Sequence, residues 1–133
     1  MTSPMPVALP LPADDAPVAL DPQALAVLSQ LDPSGSGQLF LRVMTTYRKS
    51  LDRLVSQMAG AREPFDADSL RLAAHTLKSS SGSVGALALA QLCGSTEAAL
   101  REGRFDELPH LLDAVLAEAR RVDSAVLKLL HVA

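Results

Sequence analysis

The chain has 133 residues, is 48% hydrophobic and carries a formal net charge of −3. That suits one domain with one real core, and the lack of a basic run or an aromatic platform argues against a nucleic-acid binder. No stretch is apolar for the roughly 18–20 residues of a membrane span, and no basic segment leads into an apolar one at the N-terminus, so neither a span nor a secretory signal is expected.

Aromatic residues make up only 3% and there is no Trp, so the core must be built from Leu, Val, Ala and Met. Such a composition favours helices over strands. The single cysteine, Cys93, rules out an internal disulfide and fits a reducing cytoplasm.

Residues 1–20 contain Pro4, Pro6, Pro10, Pro12 and Pro17. Proline removes backbone donors and blocks helix, so this segment reads as an extended, disordered tail. The folded domain is expected over residues 21–133. Asp21-Pro22 offers an N-cap followed by proline at the first helical position. A short helix is predicted near 21–31, with Ala24, Leu25, Leu28 and Leu31 as its apolar stripe. The run Asp32-Pro33-Ser34-Gly35-Ser36-Gly37 ends it.

Periodicity is clearest in the next segment. Phe40, Val43, Met44, Tyr47, Leu51, Leu54, Val55 and Met58 recur every three or four residues, predicting an amphipathic helix over 37–60. A third helix is predicted from Asp66 or Asp68, either of which can cap it, to about Ser81. Leu70, Ala73, Ala74, Leu77 and Val84 mark its buried side, and Gly82 and Gly85 are read as bracketing a turn. The fourth helix is expected over 86–102, with Leu89, Leu92, Cys93, Thr96 and Leu100 on one face and Gly103 as its stop. The fifth starts near 106–109 and runs nearly to the end. Four long amphipathic helices with short connections predict an all-α, antiparallel up-down four-helix bundle with a short extra N-terminal helix.

The residues that carry chemistry lie on the third helix. Successive helical residues rotate by about 100°, which puts His75 roughly 200° from Leu77 and on the solvent side. His75 shares its face with Arg71, Lys78, Ser79 and Gly82. Neutral imidazole is a nucleophile near neutral pH and can accept a phosphoryl group on a ring nitrogen. Lys78, one turn along, can offset the charge of the phosphoryl oxygens, and Arg71, one turn back, can do the same. Small residues at 79 and 82 would let a partner's loop approach the helix. Taken by itself, an exposed His beside a Lys is also an ordinary solvated surface pair.

The run from His75 to Ala86, His-Thr-Leu-Lys-Ser-Ser-Ser-Gly-Ser-Val-Gly-Ala, resembles the signature of histidine-containing phosphotransfer (HPt) domains. That signature is approximately His-x-Leu-Lys-Gly, then small residues, then Gly-Ala. Leu92-Cys93 and Glu97 also look like the family's following helix, and the resemblance covers roughly residues 25–130. It implies a four-helix bundle without catalytic activity of its own, with His75 as phosphoacceptor and Lys78 as the supporting lysine. Ser79 stands where the family has glycine, so its hydroxyl and Cβ project toward a docking partner. Arg71, Ser79 and Gly82 are then docking-surface residues. The partners implied are response-regulator receiver domains and a hybrid sensor histidine kinase. The chain itself needs no cofactor or metal, because Mg2+ belongs to the receiver. A cytoplasmic monomer is expected.

Three other readings compete. A metal site would have to use His75, His110, His131 and Cys93, but no pair has ligand spacing. A hydrolase or kinase lacks its motifs: there is no phosphate loop and no Gly-x-Ser-x-Gly. An interaction-only bundle that docks receivers or kinases without carrying phosphate is the alternative to transfer.

Overall fold

The computed structural model describes residues 19–32 and 34–132. Among them five α-helices follow in order: α1 (Pro22–Gln30), α2 (Gln38–Gly60), α3 (Ala67–Ser83), α4 (Leu87–Arg101) and α5 (Leu108–Val132). A 3-10 turn, Phe105–Glu107, leads into α5. No strand forms among the described residues; Arg62 and Phe65 make an isolated bridge in the α2–α3 connection. Each long helix packs on the next and α5 returns to α2, which closes the four-helix bundle.

The apolar stripes explain the packing. Met44, Tyr47, Leu51, Leu54 and Met58 of α2 are buried, as are Leu70, Ala73, Ala74 and Leu77 of α3. Leu89, Cys93, Ala99 and Leu100 enter the same core from α4, and Val115, Val122 and Val126 from α5. Burying each Leu or Val contributes about 1.5–3 kcal/mol. One buried polar bridge crosses this core: Tyr47 Oη and Ser81 Oγ lie 2.8 Å apart and join α2 to α3. On the outside, the Arg48 guanidinium donates to Asp123 at 2.8 Å and links α2 to α5.

The caps follow the sequence. Asp21 accepts from the Ala24 amide at 3.2 Å, with Pro22 first in the helix. Asp66 rather than Asp68 caps α3, accepting from the Ser69 amide at 3.1 Å. Asp68 instead supplies a negative charge to the first turn.

Three boundaries differ from the sequence reading. α3 runs through Gly82 to Ser83. Gly82 has helical backbone and an open surface around it, so it does not break the helix. The break falls at Gly85, with φ +84°, a conformation that only glycine takes without strain. Leu31 lies beyond the end of α1 and is 62% exposed, so it does not continue the apolar stripe. Ala19 and Leu20, assigned above to the tail, pack on the core, and Leu20 is buried. The rest of the predicted tail, residues 1–18, lies outside the described residues.

Leu20 is held because α1 seats on the α3–α4 turn. The Asp21 amide donates to the Gly85 carbonyl at 2.8 Å. A Cβ at Gly85 would stand 2.7 Å from the Ala24 Cβ, so the two segments approach as closely as glycine permits. The short helix thus clamps the turn of the α3–α4 hairpin, which carries the candidate site.

Candidate functional site

His75 sits mid-way along α3, on the face opposite Ala73, Ala74 and Leu77, each of which is fully buried. Its side chain is 63% exposed. The helix that presents it is capped at its start by Asp66 and bonded to α2 through Ser81, so the imidazole stands on a rigid support. Lys78 lies one turn on, its side chain 43% exposed.

Glu97 of α4 joins the two. Its Oε2 is 2.9 Å from His75 Nδ1, and its Oε1 is 2.7 Å from Lys78 Nζ. The Lys78 contact is close but lies off the hydrogen-bond direction, so it acts as an ion pair. The Glu97 side chain is only 14% exposed. Burial pushes its carboxyl up, but Lys78 and then His75 outweigh that and hold it below the ordinary carboxylate value. Glu97 is therefore an ionised, nearly buried counter-charge to two groups of α3.

Close helix approach makes this contact possible. An added Cβ at Gly94 would lie 3.4 Å from Lys78 Cδ, so the lysine stem runs across the α4 surface where that helix has no side chain. Beneath the cluster, Cys93 is fully buried, and its thiol is pushed up to about 12 chiefly by burial, with the Glu97 charge adding to it.

The remaining predicted residues surround the cluster on α3. Arg71 is exposed and 3.8 Å from Asp68, a weak surface pair. Ser79 and Gly82 are exposed on the next turns. Ser83 Oγ donates to the Ser79 carbonyl at 3.1 Å. Leu72, one turn before His75, is 58% exposed, an apolar group at the rim of the site. The groups of the metal reading do not converge. Among the described residues no three of His, Cys, Asp and Glu come together as a metal site, and Cys93 is sealed in the core.

A family model described as the Hpt domain matches residues 38–125. The chain belongs to the Hpt domain family. As such it is a histidine phosphotransfer protein of the phosphorelay type. Among solved structures it is similar to histidine-containing phosphotransfer protein B (HptB) from Pseudomonas aeruginosa PAO1, with a TM-score of 0.79 and 24% identity over 90% of this chain and 99% of that one. At that identity the likeness speaks for the fold, a helical bundle. Comparison with curated proteins finds no match. No helix among the described residues is long and apolar enough to cross a membrane.

In this Hpt domain the sequence reading placed His75 and Lys78 on one exposed face, and the structure has them there. It attached no role to Glu97 and did not notice Gly94. One signal was available. Residue 97 lies as far past Ala86 as His75 lies before it, and Gly94 mirrors Lys78 in the same way. A tight helical hairpin about Gly85-Ala86 pairs those positions.

Proposed function

We propose that this protein carries a phosphoryl group on His75 between the aspartates of response-regulator receiver domains. What supports the reading is an exposed imidazole on a rigid helix with an ammonium group one turn along, in a chain of the Hpt family. In the forward step a ring nitrogen of His75 attacks the phosphorus of an aspartyl phosphate on the partner. The P–O bond breaks, its electron pair stays with the carboxylate, and an N–P bond forms. The reverse step returns the pair to the ring. Such transfer depends on positioning and electrostatics, which a rigid carrier meets without catalytic activity of its own. Lys78 is half-exposed and ion-paired to Glu97, and from there its ammonium can swing toward the phosphoryl oxygens.

The docking face is centred on His75 and includes Arg71, Ser79 and Gly82, with Leu72 supplying apolar contact. Mg2+ belongs to the receiver's acidic pocket. A hybrid sensor histidine kinase upstream, a cytoplasmic address and a monomeric state complete the proposal.

The test is incubation with a phosphorylated receiver domain. Wild type should gain an acid-labile, base-stable label that His75→Gln does not gain. A chain that binds the receiver and takes no label is a docking module instead.

A further inference from the structure

Ser79, Ser80, Ser81 and Ser83 lie in the last turns of α3. Three of them have their hydroxyls engaged within the protein. Ser80 Oγ donates to the Leu77 carbonyl at 3.3 Å, Ser81 Oγ lies 2.8 Å from Tyr47 Oη, and Ser83 Oγ donates to the Ser79 carbonyl at 3.1 Å. Among the described residues, Ser79 Oγ has no hydrogen-bond partner. A helical serine can turn its hydroxyl back to the carbonyl one turn earlier, as Ser83 does. The Ser79 hydroxyl makes no such bond to His75, and the residue is exposed.

The unengaged hydroxyl is thus the one on the face of His75. Residues four apart on a helix have Cβ atoms about 5–6 Å from each other. Helical side chains lean toward the N-terminus, so Ser79 overhangs the turn that begins at His75. The charged groups nearby differ from it in having partners already. Lys78 Nζ is 2.7 Å from Glu97 Oε1, and the Arg71 guanidinium is 3.8 Å from Asp68. Either must leave a carboxylate to reach a phosphoryl group, and the Ser79 hydroxyl leaves nothing.

We infer that Ser79 is a phosphoryl-binding residue: its hydroxyl donates to a phosphoryl oxygen once His75 carries the group. This deepens the carrier reading and rests on it. A hydroxyl donating to an anionic oxygen makes a charge-assisted bond. That bond exists only in the phosphorylated chain. It therefore stabilises phosphohistidine relative to the bare ring and biases the phosphoryl group toward this chain.

A role in docking alone has a different signature. A contact that Ser79 makes only in the complex with a receiver alters the rates of transfer in both directions. It leaves unchanged the partition of phosphoryl groups between the two separated proteins, because neither separated protein contains the contact. A bond from Ser79 to the phosphoryl group changes that partition.

The experiment mixes the full chain with a phosphorylated receiver domain, dilute enough that little complex is present, and measures the equilibrium distribution of label. Ser79→Ala keeps the Cβ and removes the hydroxyl, and alanine favours helix, so the variant folds. Ser79→Ala and Ser79→Gly should both move the partition toward the receiver on the order of 5- to 10-fold, as for loss of one hydrogen bond. Ser79→Thr keeps a hydroxyl and should hold the wild-type ratio. A Ser79→Ala partition equal to that of wild type overturns the inference, whatever happens to the rates. A wild type that takes no label overturns the carrier reading instead.

Discussion

The buried bridge between Tyr47 and Ser81 supports the helix that presents His75, and its removal should follow a cycle of defined form. Tyr47 is 4% exposed and Ser81 fully buried, with their oxygens 2.8 Å apart. Leaving a buried polar group unsatisfied costs about 1–3 kcal/mol. In Tyr47→Phe the orphan is the Ser81 hydroxyl, which can turn back to the carbonyl one helical turn earlier, so the loss should be near the low end, about 1 kcal/mol. In Ser81→Ala the orphan is a phenol, whose rigid ring cannot turn the hydroxyl back to its own helix, and the loss should approach about 3 kcal/mol. The double variant removes both partners and should lose clearly less than the sum, with a coupling of about 1–2 kcal/mol. Urea denaturation with unchanged slope measures all four stabilities. Losses in the double variant equal to the sum of the singles would refute the claim that these two hydroxyls satisfy each other.

The remaining predictions concern pH, the hairpin turn and the lysine. Burial pushes the Tyr47 phenol from 10.0 up to about 12, and the Cys93 thiol from 9.0 up to about 12. The native state keeps both protons to higher pH than the unfolded chain does. Their contribution is thus complete below pH 9 and is lost as pH rises toward 12. Tyr47 is the single tyrosine, so phenolate absorbance reports it alone; ionisation at the ordinary value in folded protein would contradict the burial. Gly85→Ala should cost at least about 1–2 kcal/mol for the left-handed backbone and lift α1 off the turn. Hydrogen exchange at the Asp21 amide should then rise sharply, and unchanged protection would count against the clamp. Lys78→Ala should leave the helical spectrum intact and slow phosphoryl transfer about 10- to 100-fold, less than loss of a buried oxyanion donor. Transfer at the wild-type rate would remove Lys78 from the step.

Sequence periodicity made the bundle readable because each long helix buries one unbroken stripe, as α2 does from Met44 to Met58. Caps were readable where a side chain closes the first turn by itself, as Asp21 and Asp66 do. Misreadings arose where residue type underdetermines conformation. Gly82 and Gly85 look alike in sequence, but only Gly85 meets another segment and adopts positive φ. Leu20 follows a proline-rich stretch, yet it is buried because the Asp21 amide is tied to the Gly85 carbonyl. The face of His75 was legible because phase along one helix fixes it. Glu97 was not, because its contact depends on the register of α4 against α3, which the close approach of Gly94 to the Lys78 stem helps to set.

The charge at the site explains why one carboxylate serves two groups. Glu97 is nearly buried, and a buried charge without a counter-charge is strongly unfavourable. Lys78 places its ammonium 2.7 Å from one oxygen of Glu97, and His75 a ring nitrogen 2.9 Å from the other. If His75 carries phosphate as proposed, a phosphoryl group on its ring would draw Lys78 outward, toward its oxygens, and so strip Glu97 of its ammonium partner. The same event would make the ring a cation, with Nδ1 2.9 Å from Oε2. On that proposal Glu97 would keep a neighbouring positive charge throughout, and Lys78 could move to the phosphoryl group without a desolvated carboxylate holding it back. A lysine with a dedicated acidic partner would have to break that pair at every transfer. Sharing the carboxylate with His75 would let the new charge on the ring replace the one that leaves.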